Sequence, residues 1–160
     1  MPKSSPADPR ARAQTRKQIE DMLAERQQML VLLWELAKLD FSAIDQPVLE
    51  MLEEFDELLV DYIAAGHFGL YQRLGEGNER RQPVLDVARD IYPRIAHTTD
   101  VAVEFSERYD NPEAEKVKSS LAGDLSRLGE ALATRIELED RLILAMLGAD
   151  FSLPQTRASA

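Results

Sequence analysis

The sequence predicts an all-α protein, an antiparallel bundle of four long helices with a short extra helix after Gly66. Apolar residues recur at steps of three and four over four long segments, the spacing that places side chains on one face of an α-helix. No segment shows the alternation of apolar and polar residues that is typical of a half-buried strand. Residues that favour turns fall between the four segments, so the segments are predicted to pack as consecutive helices.

The chain of 160 residues is long enough for one domain with its own core. A domain of this size buries roughly 70% of the surface of its unfolded chain. Residues 1–10 contain three prolines and two serines and have no periodic apolar face, so we expect a flexible tail there. The single helical domain is expected over 11–150, and 151–160 are expected to be frayed.

The first helix is predicted from about Ala11 to about Leu39. Its apolar stripe comprises Ile19, Met22, Leu23, Met29, Leu30, Leu33, Trp34 and Ala37. Turn-forming residues follow over 40–46, and Pro47 suits the first turn of the second helix, where its missing amide hydrogen has no acceptor. The stripe of the second helix comprises Val48, Leu52, Phe55, Leu59 and Tyr62.

The second helix runs into Gly66, which can end it in a left-handed cap or allow a kink. Asp61 lies beside the apolar stripe, so its carboxylate is expected at the edge of the core, half screened from water and in need of a partner. His67 follows near a predicted helix start, where free amides disfavour a proton on imidazole. Phe68, Tyr71 and Leu74 then resume a helical face.

Residues 75–83 form a predicted polar loop that lacks the Gly-Lys-Ser/Thr signature of a phosphate-binding loop. The third helix follows, with its stripe extending from Val84 to Phe105, and Pro93 either kinks it or divides it; a kink is favoured. After Asp110-Asn111-Pro112 a long fourth helix is predicted to end at Gly148. Its stripe comprises Val117, Leu121, Leu125, Leu128, Leu132, Ile136, Leu142 and Met146.

The composition narrows the classes of function. Nineteen Lys and Arg residues face 29 Asp and Glu residues, and the net charge of −10 repels nucleic acid and anionic lipid while attracting a basic protein. The absence of Cys excludes disulfides, cysteine zinc sites and thiol nucleophiles. No apolar run of 18 residues and no secretory signal is visible, so we expect a cytoplasmic protein without a membrane span. Neither His67 nor His97 belongs to a Glu-x-x-His pair, so no metal or other cofactor is expected.

Two segments carry a resemblance to a known family. Residues 59–71 read Leu-Val-Asp-Tyr-Ile-Ala-Ala-Gly-His-Phe-Gly-Leu-Tyr, and residues 128–143 read Leu-Gly-Glu-Ala-Leu-Ala-Thr-Arg-Ile-Glu-Leu-Glu-Asp-Arg-Leu-Ile. Both resemble the corresponding segments of the Rsd/AlgQ family, bacterial regulators that bind the primary sigma factor of RNA polymerase, and 20–36 match more weakly. The resemblance implies an anti-sigma factor that covers the C-terminal, DNA-binding region of the sigma factor and so blocks its contacts with promoter DNA and core polymerase.

The resemblance also implies a set of partner-binding residues: Arg26, Asp61, Tyr62, His67, Phe68, Tyr71, Arg135 and Glu139. Each has a structural alternative. Asp61 can be a solvated carboxylate that pairs with a nearby Arg or Lys, and His67 can be a local cap or packing residue. Tyr62, Phe68 and Tyr71 can plug the end of the bundle. Arg135, Glu139 and Asp140 can form a solvated ion-pair face, or Arg26, Glu139 and Asp61 can form one polar network across helices. Tyr71 is the better candidate for a contact, since its hydroxyl needs a polar partner.

Two other classes of function stay open at this point. A dimerising or scaffolding bundle is compatible with the broad stripe of the first helix and with Trp34, and an enzyme would use Asp61 and His67 as acid and base. An enzyme needs more assumptions, because no nucleophile elbow, phosphate loop or metal cluster is present in the sequence. The expected partner is the primary sigma factor, with no direct contact to nucleic acid, and the expected state is a monomer or weak homodimer.

Overall fold

The computed structural model describes residues 9–75, 77 and 79–148. Its helices in chain order are α1 (Pro9–Ala37), α2 (Gln46–Gly66), a π-helical segment (His67–Tyr71), α3 (Gln72–Gly75), α4 (Gln82–Arg108) and α5 (Ala114–Leu147). Within these described ranges there is no strand. The predicted all-α bundle with four long helices is therefore confirmed.

The four long helices form two hairpins that pack together. Helix α1 lies along α2 and α4 lies along α5, while α2 meets α4 and α1 meets α5 across the bundle. Short connections make consecutive long helices antiparallel neighbours. The core runs through all four, and the predicted core residues Leu52, Phe55, Leu59, Leu128 and Leu132 are all essentially inaccessible to solvent.

Local signals set the helix ends that were predicted. The Asp45 side chain accepts a hydrogen bond from the amide of Val48 at 3.1 Å, and Pro47 lies in the first turn of α2, so the start of this helix is capped. Gly148 has φ of 89° and follows the last residue of α5, a conformation that a side chain would disfavour. Both boundaries agree with the sequence.

Helix α2 ends at Gly66 as predicted, but the left-handed cap predicted there is absent. Gly66 has φ of −63° and ψ of −47°, so the chain passes through it in a helical conformation and continues into the π-helical segment. His67 consequently lies inside a continuous helical run, and the expected helix start beside it is absent. Pro93 is likewise inside the unbroken helix α4, which excludes the division into two segments.

The structure describes only part of the segments predicted to flank the domain. Helix α1 starts at Pro9, so the last two residues of the predicted tail belong to a helix. The rest of that tail and the predicted frayed end at 151–160 lie outside the described residues. Over the described ranges, none of the helices combines the length and the apolar character that crossing a bilayer requires.

Candidate functional site

A cluster of polar side chains lies inside the bundle, where apolar residues are the rule. We call it the buried polar cluster. It draws residues from α1, α2, the π-helical segment, α4 and α5: Arg26, Tyr62, Tyr71, Thr98, Thr99, Arg135, Glu139 and Asp140. Because it joins every long helix, it fixes how the two hairpins meet.

Glu139 is the centre of the cluster. Its side chain is fully buried, and it accepts hydrogen bonds from Arg26 Nη2 at 3.0 Å and from Arg135 Nε at 3.0 Å. The Tyr62 hydroxyl donates a further hydrogen bond to the same carboxylate. Arg26 Nη1 also lies 2.8 Å from Asp140 Oδ1, so the two buried guanidinium groups are matched by two carboxylates. A buried charge without such a partner would be strongly unfavourable.

Arg135 connects this centre to α4. Its Nη1 donates to Thr99 Oγ1 at 2.8 Å and to Thr98 Oγ1 at 3.3 Å. The guanidinium carbon also lies 5.7 Å from the ring centroid of Tyr62 and 5.6 Å from that of Tyr71, within the range of a cation–π contact. Arg135 is therefore held on several sides in a single orientation.

Burial and charge shift the protonation equilibria of the cluster. Burial raises the pKa of the Tyr62 and Tyr71 hydroxyls, and the Glu139 carboxylate raises both pKa values further. Burial alone would lower the pKa of Arg26, but Tyr62, Glu139 and Asp140 raise it overall. Both tyrosines thus stay neutral, with Tyr62 as a hydrogen-bond donor, and Arg26 stays charged, which is the protonation pattern of a structural network.

The π-helical segment turns neighbouring side chains in opposite directions. The amide of Gln72 donates to the carbonyl of His67, five residues earlier, which is the hydrogen bond of a π-helix. Tyr71 points into the bundle and is 5% exposed, whereas Phe68 is 64% exposed and packs edge-on against His67 at 4.8 Å between ring centroids. The alternative that these aromatic residues plug the end of the bundle is therefore wrong for Phe68, whereas Tyr62 and Tyr71 are buried in the bundle.

Asp61 does not occupy the place predicted for it. The residue is exposed, and within the described part of the chain its carboxylate forms no ion pair or hydrogen bond. The expectation that it is half screened is wrong. The alternatives that it pairs with a nearby Arg or Lys, or joins Arg26 and Glu139 in one network, are also wrong. Tyr62, the next residue, reaches Glu139 instead. The predicted solvated face of Arg135 and Glu139 is wrong too, since both are buried.

A groove between α2 and α4 opens beside the buried polar cluster. We call it the α2–α4 groove, and its volume is about 560 Å³. Its lining residues are Leu59, Val60, Ile63, Ala64, His67, Phe68, Tyr71, Tyr92, Ile95, Ala96, Thr99, Asp100, Ala102, Val103, Ser106, Glu107 and Arg135. Four of these are large apolar residues that remain substantially exposed: Val60, Phe68, Tyr92 and Val103. Exposed apolar residues grouped in one concave surface indicate a binding site.

The eight predicted partner-binding residues thus divide by location. Asp61, His67 and Phe68 are at the surface, and Arg26, Tyr62, Tyr71, Arg135 and Glu139 are buried. The sequence reasoning missed the α4 side of the groove. A signal was present, because Tyr92, Ala96, Thr99 and Val103 recur at steps of three and four directly beside the core stripe of the helix.

The cluster has few features of a metal centre. Among the described residues, no group of three or more His, Asp or Glu side chains is arranged to hold a metal ion. The two carboxylates of the cluster are already engaged by arginines. What the arrangement can do is hold the surface residues of α2 and the π-helical segment in fixed positions.

Comparisons with a family model and with named proteins both point to regulators of a sigma factor. A protein-family model described as "Regulator of RNA polymerase sigma(70) subunit, Rsd/AlgQ" matches residues 3–147. Proteins named "Regulator of sigma D" from Yersinia enterocolitica and Yersinia pseudotuberculosis are each 36% identical over 94 residues, which is 58% of this chain and 56% of the relative. The protein of that name from Shigella boydii is 38% identical over 109 residues, covering 61% and 62%. The matches span less than two thirds of these relatives, and no solved structure matches.

Proposed function

This chain belongs to the Rsd/AlgQ family of regulators of the RNA polymerase sigma(70) subunit, and from this membership we propose that it is an anti-sigma factor. It binds the C-terminal DNA-binding region of the primary sigma factor and keeps that region from promoter DNA and from core polymerase. The observation that carries the proposal is the acidic, exposed surface at the end of α2, where Asp61 and Phe68 lie beside the α2–α4 groove.

Charge makes this surface suitable for a DNA-binding partner. Helix α2 contains no Lys or Arg and has the carboxylates Glu50, Glu53, Glu54, Asp56, Glu57 and Asp61. A DNA-reading domain presents Arg and Lys to phosphates and base edges. An acidic helix therefore attracts the same surface that DNA would occupy, and the net charge of −10 repels DNA itself. The inhibition is competition for one surface, without a chemical step.

The division of the predicted residues suggests two roles. Asp61, His67 and Phe68 reach the surface, so they contact the sigma factor directly. Asp61 and Phe68 are seven residues apart, about two helical turns, which places them on one side of the helix. The five buried residues hold this surface in place through Glu139 and Arg135. Neither role requires catalysis or a cofactor.

Self-association is the second candidate, because the groove exposes Phe68 and Tyr92, which are 64% and 48% accessible. Apolar patches of this kind also occur at homodimer interfaces. The acidic helix beside the groove opposes it, since a second copy would bring the same negative charges together.

Isothermal titration calorimetry tests the proposal directly. The purified chain is titrated with the full-length primary sigma factor and with its isolated C-terminal region, at low salt and at 1 M salt. We expect a one-to-one complex with either titrant that weakens at high salt, where the Debye length falls from about 10 Å to about 3 Å. A promoter duplex should not bind in a gel-shift assay. Absence of sigma-factor binding at low salt, or a dimer that forms equally well without sigma factor, would contradict the proposal.

A further inference from the structure

We infer that the α2–α4 groove receives one amphipathic helix of the sigma factor, with its apolar side chains in the groove and its Lys and Arg residues beside α2. The inference rests on the proposed function and deepens it, because it assigns the surface and the mode of binding. The partner segment is a helix, and not a loop, an extended strand or a second copy of this chain.

The shape of the groove is the first argument. On α4 the lining runs from Tyr92 to Glu107, a rise of about 22 Å at 1.5 Å per residue. That is about four turns of helix, and the walls are themselves two helices. Small residues on both walls, Ala64 and Ala96, leave the space between them open. A helix laid into a groove of two others contacts it with side chains spaced at three, four and seven residues.

The chemistry of the lining is the second argument. Phe68 and Tyr92 stand at the rims as rigid aromatic side chains, and Val60 and Val103 add aliphatic surface. Aromatic residues of this kind dominate the energy of many protein interfaces. The hydrogen bonds of a helix are satisfied within its own backbone, so a helix can enter an apolar groove without leaving amides unpaired.

Charge identifies the chemistry of the occupant. Helix α2 contains six carboxylates and no cation, and Asp100 and Glu107 of α4 line the groove itself. Arg135 is the cation of the described lining, and it is 1% exposed and bonded to Glu139. The flanks of the groove are therefore negative, which attracts Lys and Arg beside the apolar ridge of the partner. A second copy would bring its own acidic α2 to the groove and be repelled.

Two pairs of variants test the groove by calorimetry with the full-length sigma factor and its isolated C-terminal region. Ala96→Trp fills the groove from an exposed position, and Ala133→Trp is its control, because Ala133 is exposed on α5 outside the lining. Phe68→Ala removes an aromatic side chain from the rim of the groove. Val31→Ala is its control, since Val31 is 53% exposed on α1. Circular dichroism and thermal unfolding establish that each variant is folded.

We expect Ala96→Trp and Phe68→Ala each to weaken sigma binding by about tenfold or more, and both controls to leave it unchanged. A photo-crosslinking benzophenone side chain at Tyr92 should label residues spaced by three and four on one helix of the sigma factor. Wild-type affinity in both folded groove variants would overturn the inference and leave the proposed function standing. Crosslinks to a loop, or to another copy of this chain, would also overturn it. If the wild-type chain does not bind sigma factor at all, both the proposed function and the inference fail.

Discussion

The buried polar cluster and the exposed surface at the end of α2 contain residues that are neighbours in the sequence. They differ in whether their polar groups are bonded within the protein. Tyr62 is fully buried and donates to Glu139, while Asp61, one residue earlier, is exposed and forms no bond within the described chain. Consecutive residues of a helix point about 100° apart, so one helical segment serves both regions. The comparison teaches that residues of one motif can have separate roles, one in the architecture and one at the surface.

The largest expected effect is on stability, from Glu139→Ala. Removing this carboxylate leaves the Arg26 and Arg135 guanidinium groups buried with one fewer partner each. Breaking a buried ion pair from one side typically costs about 3 to 5 kcal/mol. Urea unfolding followed by circular dichroism measures the loss, and Glu137→Ala, at an exposed position of the same helix, is the control. Equal midpoints for the two variants would show that the cluster does not hold the hairpins together.

The second prediction is the reverse pattern for Asp61→Ala. An exposed carboxylate without an internal bond contributes little to folding, so the melting temperature should not change. If Asp61 faces an arginine of the sigma factor in a desolvated interface, the loss is roughly 2 to 5 kcal/mol of binding free energy. Affinity should therefore fall at least about tenfold in calorimetry. Rescue of Asp61→Arg by a charge-reversed sigma variant would establish direct contact, whereas normal affinity would remove Asp61 from the interface.

The third prediction concerns Tyr62→Phe, which keeps the buried ring and deletes only the hydroxyl that donates to Glu139. A hydrogen bond to a charged group contributes about 1.5 to 3 kcal/mol. Stability should fall by that amount in urea unfolding, and sigma affinity should hold at a temperature where the variant is folded. Loss of affinity in the fully folded variant would mean that the two regions are coupled through α2.

The periodicity of the sequence was sufficient to predict the four long helices and their core, because each apolar stripe is long and is followed by turn-forming residues. The two segments that resemble the Rsd/AlgQ family were also sufficient to predict the family of the chain. The orientation of individual polar residues was not predictable. The pattern places Tyr62 in the stripe and Asp61 beside it, but it does not show that Tyr62 donates to Glu139, which is 77 residues away along the chain. A π-helical turn at His67–Tyr71 likewise has no reliable signature in periodicity.

The fourth prediction concerns Asp56, whose burial is intermediate between that of the buried polar cluster and that of the exposed surface. Burial raises the pKa of Asp56, aided by Asp110 and Glu57 and opposed by the Ser106 hydroxyl. Because the folded state then binds its proton more tightly than the unfolded state, this contribution to stability is present at low pH and is lost as pH rises through the folded pKa. Asp56→Asn lacks this loss, so its stability relative to the wild type should increase from about pH 3 to pH 6.

The control for Asp56 has the opposite sign. Burial raises the pKa of Glu79, but hydrogen bonds from Arg81 lower it more, so the folded pKa lies below the ordinary value. The stability that Glu79 contributes is present above the unfolded pKa and is lost as pH falls through the folded pKa. Glu79→Gln should therefore lose stability relative to the wild type as pH rises from about 3 to 6. Parallel pH profiles for the two variants would contradict the assignment of both shifts.

The smallest expected effect belongs to Gly66→Ala, at the point where the two regions join. Gly66 has a helical conformation, so alanine removes an entropic cost of roughly 0.5 to 1 kcal/mol. A Cβ there would lie 3.4 Å from Arg135 Nη2 and 3.5 Å from Glu139 Oε2, in ordinary contact with the buried polar cluster. Gly129→Ala on α5 is the matched control, because a Cβ at that position has no neighbour within 4 Å. We expect the control to gain stability in urea unfolding and Gly66→Ala to gain less, since its methyl group also displaces the surroundings of two charged groups. An equal gain at both positions would show that the cluster tolerates an added carbon and that Gly66 is not needed for its packing.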